Sequence, residues 1–398
     1  MKLAPFAMER LQSIWEHQVA WNLAESGVHP LRVEELLQTE DDRLALLRQD
    51  LCYTQTNGTA DLRTLIASMY PDATPAHVQV TNGGSEANCI ALLAIVQPDD
   101  DVVVMMPNYM QVPELARALG ARVQRWNLVA SQATTEVPAR WRPDFSQLET
   151  LVTARTRAIL ICNPDNPTGA RFTAEDLNAV CRIASRVGAW VLADEIYRGA
   201  ELDGVDTPTV WGRYDRAIVT SGLSKAYALP GLRIGWVVGP PALVEETWGI
   251  HDYTTIGPGA INDRLARVAL SPARRELLLV RTRGILRTNY PVLRRWIEKR
   301  SSFMSHVPPE AGAIAFLKYE LPINSTALVE RVRDEHSVLI VPGDHFDMDG
   351  YLRIGFGTDP ELLIGALDRL GEAVDAMASG AGALASAPGR PGKPDSSR

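Results

Sequence analysis

Ser221–Trp236 reads SGLSKAYALPGLRIGW, with AIVT before it and VVG after it. The pattern predicts a strand ending near Thr220, a turn that presents Lys225, and a second strand restarting at Leu232. A lysine fixed between two apolar strands, beside Ser224 and followed by Arg233, suits an amine that forms an imine with a carbonyl cofactor, with a phosphate partner nearby. Alone, a lysine in a turn reads as a solvated surface group. The segments on either side decide between these.

Composition sets the outer bounds. A chain of 398 residues can bury a large core and is long enough for two lobes. Hydrophobic residues make up 46% and charged residues 22%, ordinary for a globular protein. The net charge of -8, with no Lys/Arg-rich run, argues against a nucleic-acid partner. Cys52, Cys89, Cys162 and Cys181 are widely separated and form neither a CxxC pair nor a metal-ligand cluster. They read as reduced core thiols of a cytoplasmic protein, and no metal site is expected. The start, MKLAPFAMERLQ, meets charge at Glu9 and Arg10 before any signal-length apolar core, and no apolar run reaches membrane-spanning length.

Four segments carry the chemistry. In HVQVTNGGSEANCIALLAIV a strand passes through a glycine turn into an apolar helix, whose start at Gly84 and Ser85 offers free N–H groups to an anion. Tyr109 follows the buried run DVVVMM. In TRAILICNPDNPTGARFT a strand opens into a loop whose prolines limit its conformations and position the Asn166 amide. The apolar run AWVLAD ends at Asp194, at the carboxyl end of a strand, where open α/β sheets bind ligands. A buried carboxylate there needs a partner. The bland alternatives are a helix-capping Asp, a packed Tyr197 and a generic turn. No G-x-G-x-x-G or Walker pattern occurs, so nucleotide readings lose support.

From Tyr53 to Arg353 these motifs, in this order, resemble the class I/II aminotransferases, fold-type I enzymes that depend on pyridoxal phosphate. The resemblance implies an α/β fold: a large domain with a mostly parallel seven-stranded sheet between helices, and a smaller α+β domain. It assigns Lys225 to the cofactor aldehyde, Asp194 to the pyridine nitrogen, and Asn166 and Tyr197 to the phenolic oxygen. Gly84, Ser85, Ser224 and Arg233 fall to the phosphate, and Tyr109 to the ring face. Arg353, in YLRIGFG, would grip the substrate α-carboxylate with Asn166, and Gly27 would let backbone approach the substrate. Tyr53, in YTQTNGTADLR, would reach the phosphate of a partner subunit in a homodimer. Many relatives place Ser or Thr three residues before the lysine, where this chain has Gly222.

Residues 1–45 form an arm and part of the small domain, 46–280 the cofactor domain, 281–378 the small domain, and 379–398 a disordered tail poor in bulky apolar residues. The arm helix shows Leu11, Ile14, Trp15, Gln18 and Val19 as its packing stripe, with Glu9 and Glu16 two turns apart on a solvated face. From about residue 265 a long helical stretch bridges into the small domain. The segment ESGVHPLRVEELL departs from common aminotransferase wording and resembles capreomycidine synthases, which cyclise a hydroxylated arginine. On that branch Glu9, Glu16 and Glu25 are candidate partners for a guanidinium.

The expected activity is therefore chemistry at the α-carbon of an L-amino acid. Transamination to a 2-oxo acid is one exit, and β-hydroxyl elimination with guanidine ring closure is the other. A non-catalytic effector-binding module fused to a DNA-binding head is a third reading. The dispersed cations, and an N-terminal stretch too short for such a head, weigh against it.

Overall fold

Runs such as Asp101–Met106 and Ala217–Gly222, buried at every residue, belong in a sheet covered on both faces. In the computed structural model, which describes residues 2–134 and 138–380, they lie in one eight-stranded sheet. Its strands are β1 (Val78–Thr81), β2 (Asp101–Met106), β3 (Arg122–Ala130), β4 (Trp141–Pro143), β5 (Thr156–Cys162), β6 (Trp190–Asp194), β7 (Ala217–Gly222) and β8 (Gly235–Val238). The spatial order is β1-β8-β7-β6-β5-β2-β3-β4. Strands β2, β3, β5, β6 and β7 run parallel, and β1 shares their direction because β8 lies antiparallel to both β1 and β7. The expected seven-stranded sheet is thus present, and β4 adds a short antiparallel edge beside β3.

A second sheet, order β9-β10-β12-β11, joins Met304–His306, Ile314–Tyr319, Tyr351–Gly355 and Val341–Pro342 in antiparallel pairs, with β11 being Val341–Pro342 and β12 Tyr351–Gly355. The arm joins this part of the molecule, since Trp21–Asn22 pairs in parallel with Val338–Leu339. Apolar residues from both regions form a continuous core, with Trp126, Trp236, Phe316 and Phe356 almost wholly buried. Each such side chain contributes about 1.5–3 kcal/mol of transfer free energy.

Several local expectations shift. Strand β7 extends to Gly222 and β8 starts only at Gly235, because Pro230–Leu232 makes a tight turn and Arg233 takes a left-handed conformation at φ 47°. The arm helix, α1, is Ala7–Trp15, so Gln18 and Val19 fall beyond it, Ile14 is 44% exposed, and Met8 is the side chain it buries. The long helical stretch divides at Ser271 into Ala260–Leu270 and Pro272–Glu298, the second crossing residue 280. Cys52 is exposed rather than in the core, next to an exposed Tyr53, while Cys162 and Cys181 are buried. Residues 381–398 of the expected tail lie outside the described residues. Among the described residues no helix is long and apolar enough to cross a membrane, and no His/Cys/Asp/Glu group could hold a metal ion.

Candidate active site

The parallel strands deliver their ends to one place. Gly84 and Ser85 follow β1, Tyr109 follows β2, Asn166 follows β5, Asp194 ends β6, and Lys225 follows β7. All but the small-domain Arg353, the Gly27 backbone and Tyr53 line a single cavity of about 290 Å³, together with Tyr197, Ser224 and Arg233. Carboxyl ends of parallel strands are where α/β sheets bind ligands, so the topology alone selects this face.

Lys225 occupies the β7–β8 connection, and its Nζ lies 2.6 Å from Glu25 Oε1. The same carboxylate oxygen accepts the backbone N–H groups of Ser26 and Gly27, each at 2.9 Å. The neighbouring ammonium, helped by these hydrogen bonds and opposed by burial, holds the Glu25 carboxyl down at about 2. Gly27 lies beside this pair: a Cβ there would meet the Ser224 carbonyl at 3.4 Å and Lys225 Cδ at 3.5 Å, ordinary van der Waals contacts. Gly222 is more confined. A Cβ there would come within 2.8 Å of the Ile234 carbonyl, just before β8, so no hydroxyl side chain fits without moving the sheet.

Asp194 is 8% exposed and forms no ion pair among the described residues. Asn88 Nδ2 donates to its Oδ2 at 2.8 Å, and the Ile196 N–H donates to Oδ1 at 3.0 Å. Burial raises its carboxyl above the ordinary value despite these bonds. A buried carboxylate aimed into a cavity, bonded only to neutral donors, is matched by a ligand that brings a positive N–H.

The same cavity has an anion-binding part. Helix α2 (Gly84–Ile95) starts after Gly83, at φ 98°, with no side-chain cap, leaving its first N–H groups directed outward. Arg233 closes over Gly83 so tightly that a Cβ there would run into its guanidinium. Its Nη1 donates to Ser224 Oγ at 3.3 Å. Three kinds of donor therefore converge: helix N–H groups, a hydroxyl and a guanidinium.

Arg353, on β12, is 1% exposed. Its Nη1 donates to Asn166 Oδ1 at 3.0 Å and touches Met8 Sδ at 3.3 Å, while Nη2 donates to the Ala24 carbonyl at 2.5 Å. Its Nε has no partner among the described residues. Burial lowers its affinity for the proton, with Tyr197, Glu25, Glu9 and Tyr109 acting in the other direction. The Asn163–Pro164 and Asn166–Pro167 peptides of the Asn166 loop are both cis. Tyr197 is 3% exposed, and burial pushes its hydroxyl far up.

Helix α1 forms the outer wall. Phe6 packs on the Tyr109 ring at 4.9 Å, and the Tyr109 hydroxyl donates to Glu9 Oε1 at 2.8 Å. Met8, Glu9, Gln12, Ser13 and Glu16 all line the cavity, so Glu9 and Glu16 face it rather than a plain solvated surface. Tyr53 stands apart: it is 86% exposed and does not line this chain's own cavity.

The donor set fits pyridoxal phosphate. Around one cavity it offers an anion cradle, a buried carboxylate for a ring N–H, and an amine for the aldehyde. Reading the sequence missed Asn88 as the partner of Asp194 and Glu25 as the counter-ion of Lys225. Asn88 left a faint signal, being an amide four residues after Gly84, at the start of the helix's apolar run.

Comparison with known proteins agrees with this geometry. A family profile described as aminotransferase class I and II matches residues 22–370. The chain is 29% identical to an aspartate aminotransferase of Streptomyces avermitilis, covering 80% of each sequence. It is 30% identical to a capreomycidine synthase of Streptomyces vinaceus, covering 87% of each. A pyridoxal-phosphate-dependent aminotransferase structure from Streptococcus suis superposes with a TM-score of 0.87 at 32% identity, covering 95% of this chain and 99% of that one.

Proposed function

The chain belongs to the class I and II aminotransferases and is a pyridoxal-phosphate-dependent enzyme, and on that premise we propose that it transfers the amino group of an L-amino acid, giving a 2-oxo acid. The observation that carries this reading is the placing of Lys225, Asp194 and the Gly84–Arg233 anion cradle around one cavity. When bound, the cofactor supplies a carbonyl that links to an amine and a ring that takes up the negative charge released at the α-carbon.

Each residue then has a definite task. Gly84, Ser85, Ser224 and Arg233 hold the phosphate, Tyr109 covers the ring, and Asp194 keeps the ring nitrogen protonated through its carboxylate. Asn166 and Tyr197 donate to the phenolic oxygen. Arg353 binds the α-carboxylate with two N–H groups, beside Asn166, and Gly27 leaves room for the substrate at the lysine. Lys225 Nζ removes the proton from the α-carbon, acting as general base within reach of Glu25. Mixing the holoenzyme with single amino acids and a 2-oxo acid acceptor, and weighing the products, tests this. New 2-oxo acids support transamination; amino acids recovered unchanged across a full panel contradict it.

A second reading is supported by the capreomycidine synthase relative and by the ESGVHP segment, which places Glu25 against Lys225. There a β-hydroxyl leaves as water and a guanidine nitrogen bonds to the β-carbon. A product lighter than hydroxyarginine by one water, with no 2-oxo acid, would select it.

Homodimer formation is part of the proposal. Leu47, Leu51, Tyr53 and Tyr253 are each more than four-fifths exposed, and hydrogen bonds from Thr54 to Pro258 and from Arg264 to Gln49 hold their segments together. A second copy would cover them and bring Tyr53 to the neighbouring phosphate. Residues 46–280 and 281–378 are proposed as its two domains, with the arm completing the second. Four free thiols support a cytoplasmic setting.

A further inference from the structure

The Glu25 carboxylate reaches Lys225 from a segment that is tied down on its own account. The Leu23 N–H donates to the Leu339 carbonyl at 2.8 Å, and the Leu23 carbonyl accepts the Gly355 N–H, at the end of β12, at 2.7 Å. Further on, the His29 N–H donates to the Gly357 carbonyl at 2.8 Å. Between these ties the chain runs so close to β12 that a Cβ on Gly355 would collide with the Glu25 carbonyl. At the side chain, Oε1 accepts the Ser26 and Gly27 N–H groups and faces Lys225 Nζ at 2.6 Å. Main-chain contacts that do not involve Lys225 therefore aim this carboxylate at its nitrogen.

In the reading above, on which this inference rests, that nitrogen becomes joined to the cofactor carbonyl. An ammonium that joins a carbonyl gives up two protons, which leave with the carbonyl oxygen as water, and keeps the third. The linked nitrogen then carries the same positive charge. How far up in pH it keeps that charge depends on what faces it, and an opposite charge in contact favours the charged form by roughly 1–3 pH units.

The other titratable groups of the cavity have partners of their own or are neutral. Asp194 is assigned to the ring nitrogen, Arg233 to the phosphate and Arg353 to the α-carboxylate. On α1, Glu9 accepts the Tyr109 hydroxyl at 2.8 Å and Glu16 meets the exposed His17 ring at 3.4 Å. Burial keeps Tyr109, Tyr197 and Cys162 protonated. Among the described residues Glu25 is the one carboxylate in contact with Lys225.

We propose that Glu25 holds the proton on the Lys225 nitrogen once that nitrogen is joined to the cofactor, and so extends to higher pH the range in which the holoenzyme stays protonated there. Glu25 acts through Lys225 and is a positioning residue. A protonated carbon–nitrogen double bond is the form that an incoming amine attacks, so the contact widens the pH range in which a substrate can enter.

The test is a spectrophotometric pH titration of the holoenzyme, since protonation of a conjugated carbon–nitrogen double bond moves its absorption to longer wavelength. Glu25→Gln removes the charge but keeps the side-chain length and an oxygen for the Ser26 and Gly27 N–H groups. Its long-wavelength band should fade with a midpoint at least about one pH unit below that of the parent, a tenfold shift in the proton equilibrium. Glu25→Asp keeps the charge on a shorter side chain and should shift the same way by less. Glu16→Gln, in the same cavity without a contact to Lys225, should move the midpoint far less than Glu25→Gln. An unchanged midpoint in either Glu25 variant overturns the proposal and leaves the cofactor reading standing. So does an equal shift in Glu16→Gln, which would trace the effect to the general charge of the cavity. A protein that takes up no cofactor overturns both.

Discussion

Asn88 Nδ2 donates to Asp194 Oδ2 at 2.8 Å, while its Oδ1 accepts the Thr220 hydroxyl at 2.5 Å. One amide thus ties the buried carboxylate at the end of β6 to the end of β7. It does so without neutralising the charge, which stays available to a ring nitrogen. An Asn88→Ala change leaves Thr220 and Asp194 each short of a partner. Stability should fall by about 1–3 kcal/mol, measured by denaturant unfolding, and the holoenzyme should lose cofactor faster on dialysis. Unchanged stability and cofactor retention would show that the amide is dispensable.

Arg353 makes a two-pronged contact that lysine cannot copy. Its Nη1 and Nη2 bind Asn166 and Ala24 from a site that is 1% exposed. An Arg353→Lys enzyme should show KM for amino acids raised about tenfold or more. Binding of the corresponding amine without the carboxylate should barely change. Equal losses for both ligands would place the role of Arg353 elsewhere.

Gly222 stands where the family resemblance leads one to expect a hydroxyl side chain, and the sheet leaves no room for one. A Gly222→Ser change sets a Cβ against the Ile234 carbonyl at 2.8 Å and Gly235 Cα at 3.1 Å. Overpacking of this kind costs about 1–3 kcal/mol. The unfolding midpoint should drop, with no gain in phosphate affinity from the new hydroxyl.

The parts of the site that were legible in sequence are those set by local chemistry. Asp194 closes an apolar run, Asn166 sits in a two-proline loop, and Lys225 lies between apolar segments, so each strand end declares itself. The contacts that escaped notice join distant residues: Glu9 to Tyr109, Asn88 to Asp194, and Glu25 to Lys225. Periodicity places Glu9 and Glu16 on a polar helix face, but it cannot tell bulk water from a cavity walled by other strands. The start of β8 was misplaced for a similar reason. Leu232 is apolar, yet the left-handed turn at Arg233 delays the strand.

His306 gives the fold a pH dependence of known sign. It contacts the Tyr290 hydroxyl at 2.8 Å, and burial lowers its ring from 6.5 to about 4. The unfolded chain takes up this proton near pH 6.5 and the folded chain only near pH 4, so stability falls as pH drops between them. The loss reaches about 3 kcal/mol at the lower end. Comparing unfolding at pH 7 and pH 5 should show a shallower decline for His306→Phe than for the parent. An identical decline would assign the effect to other groups.

The central claim is that Lys225 carries the cofactor, and borohydride reduction of the holoenzyme followed by peptide mass mapping tests it most directly. The account predicts a pyridoxyl phosphate group on the peptide containing Lys225, and no such group on the corresponding peptide of Lys225→Ala. A reduced holoenzyme with the group on another lysine, or with none, would contradict it.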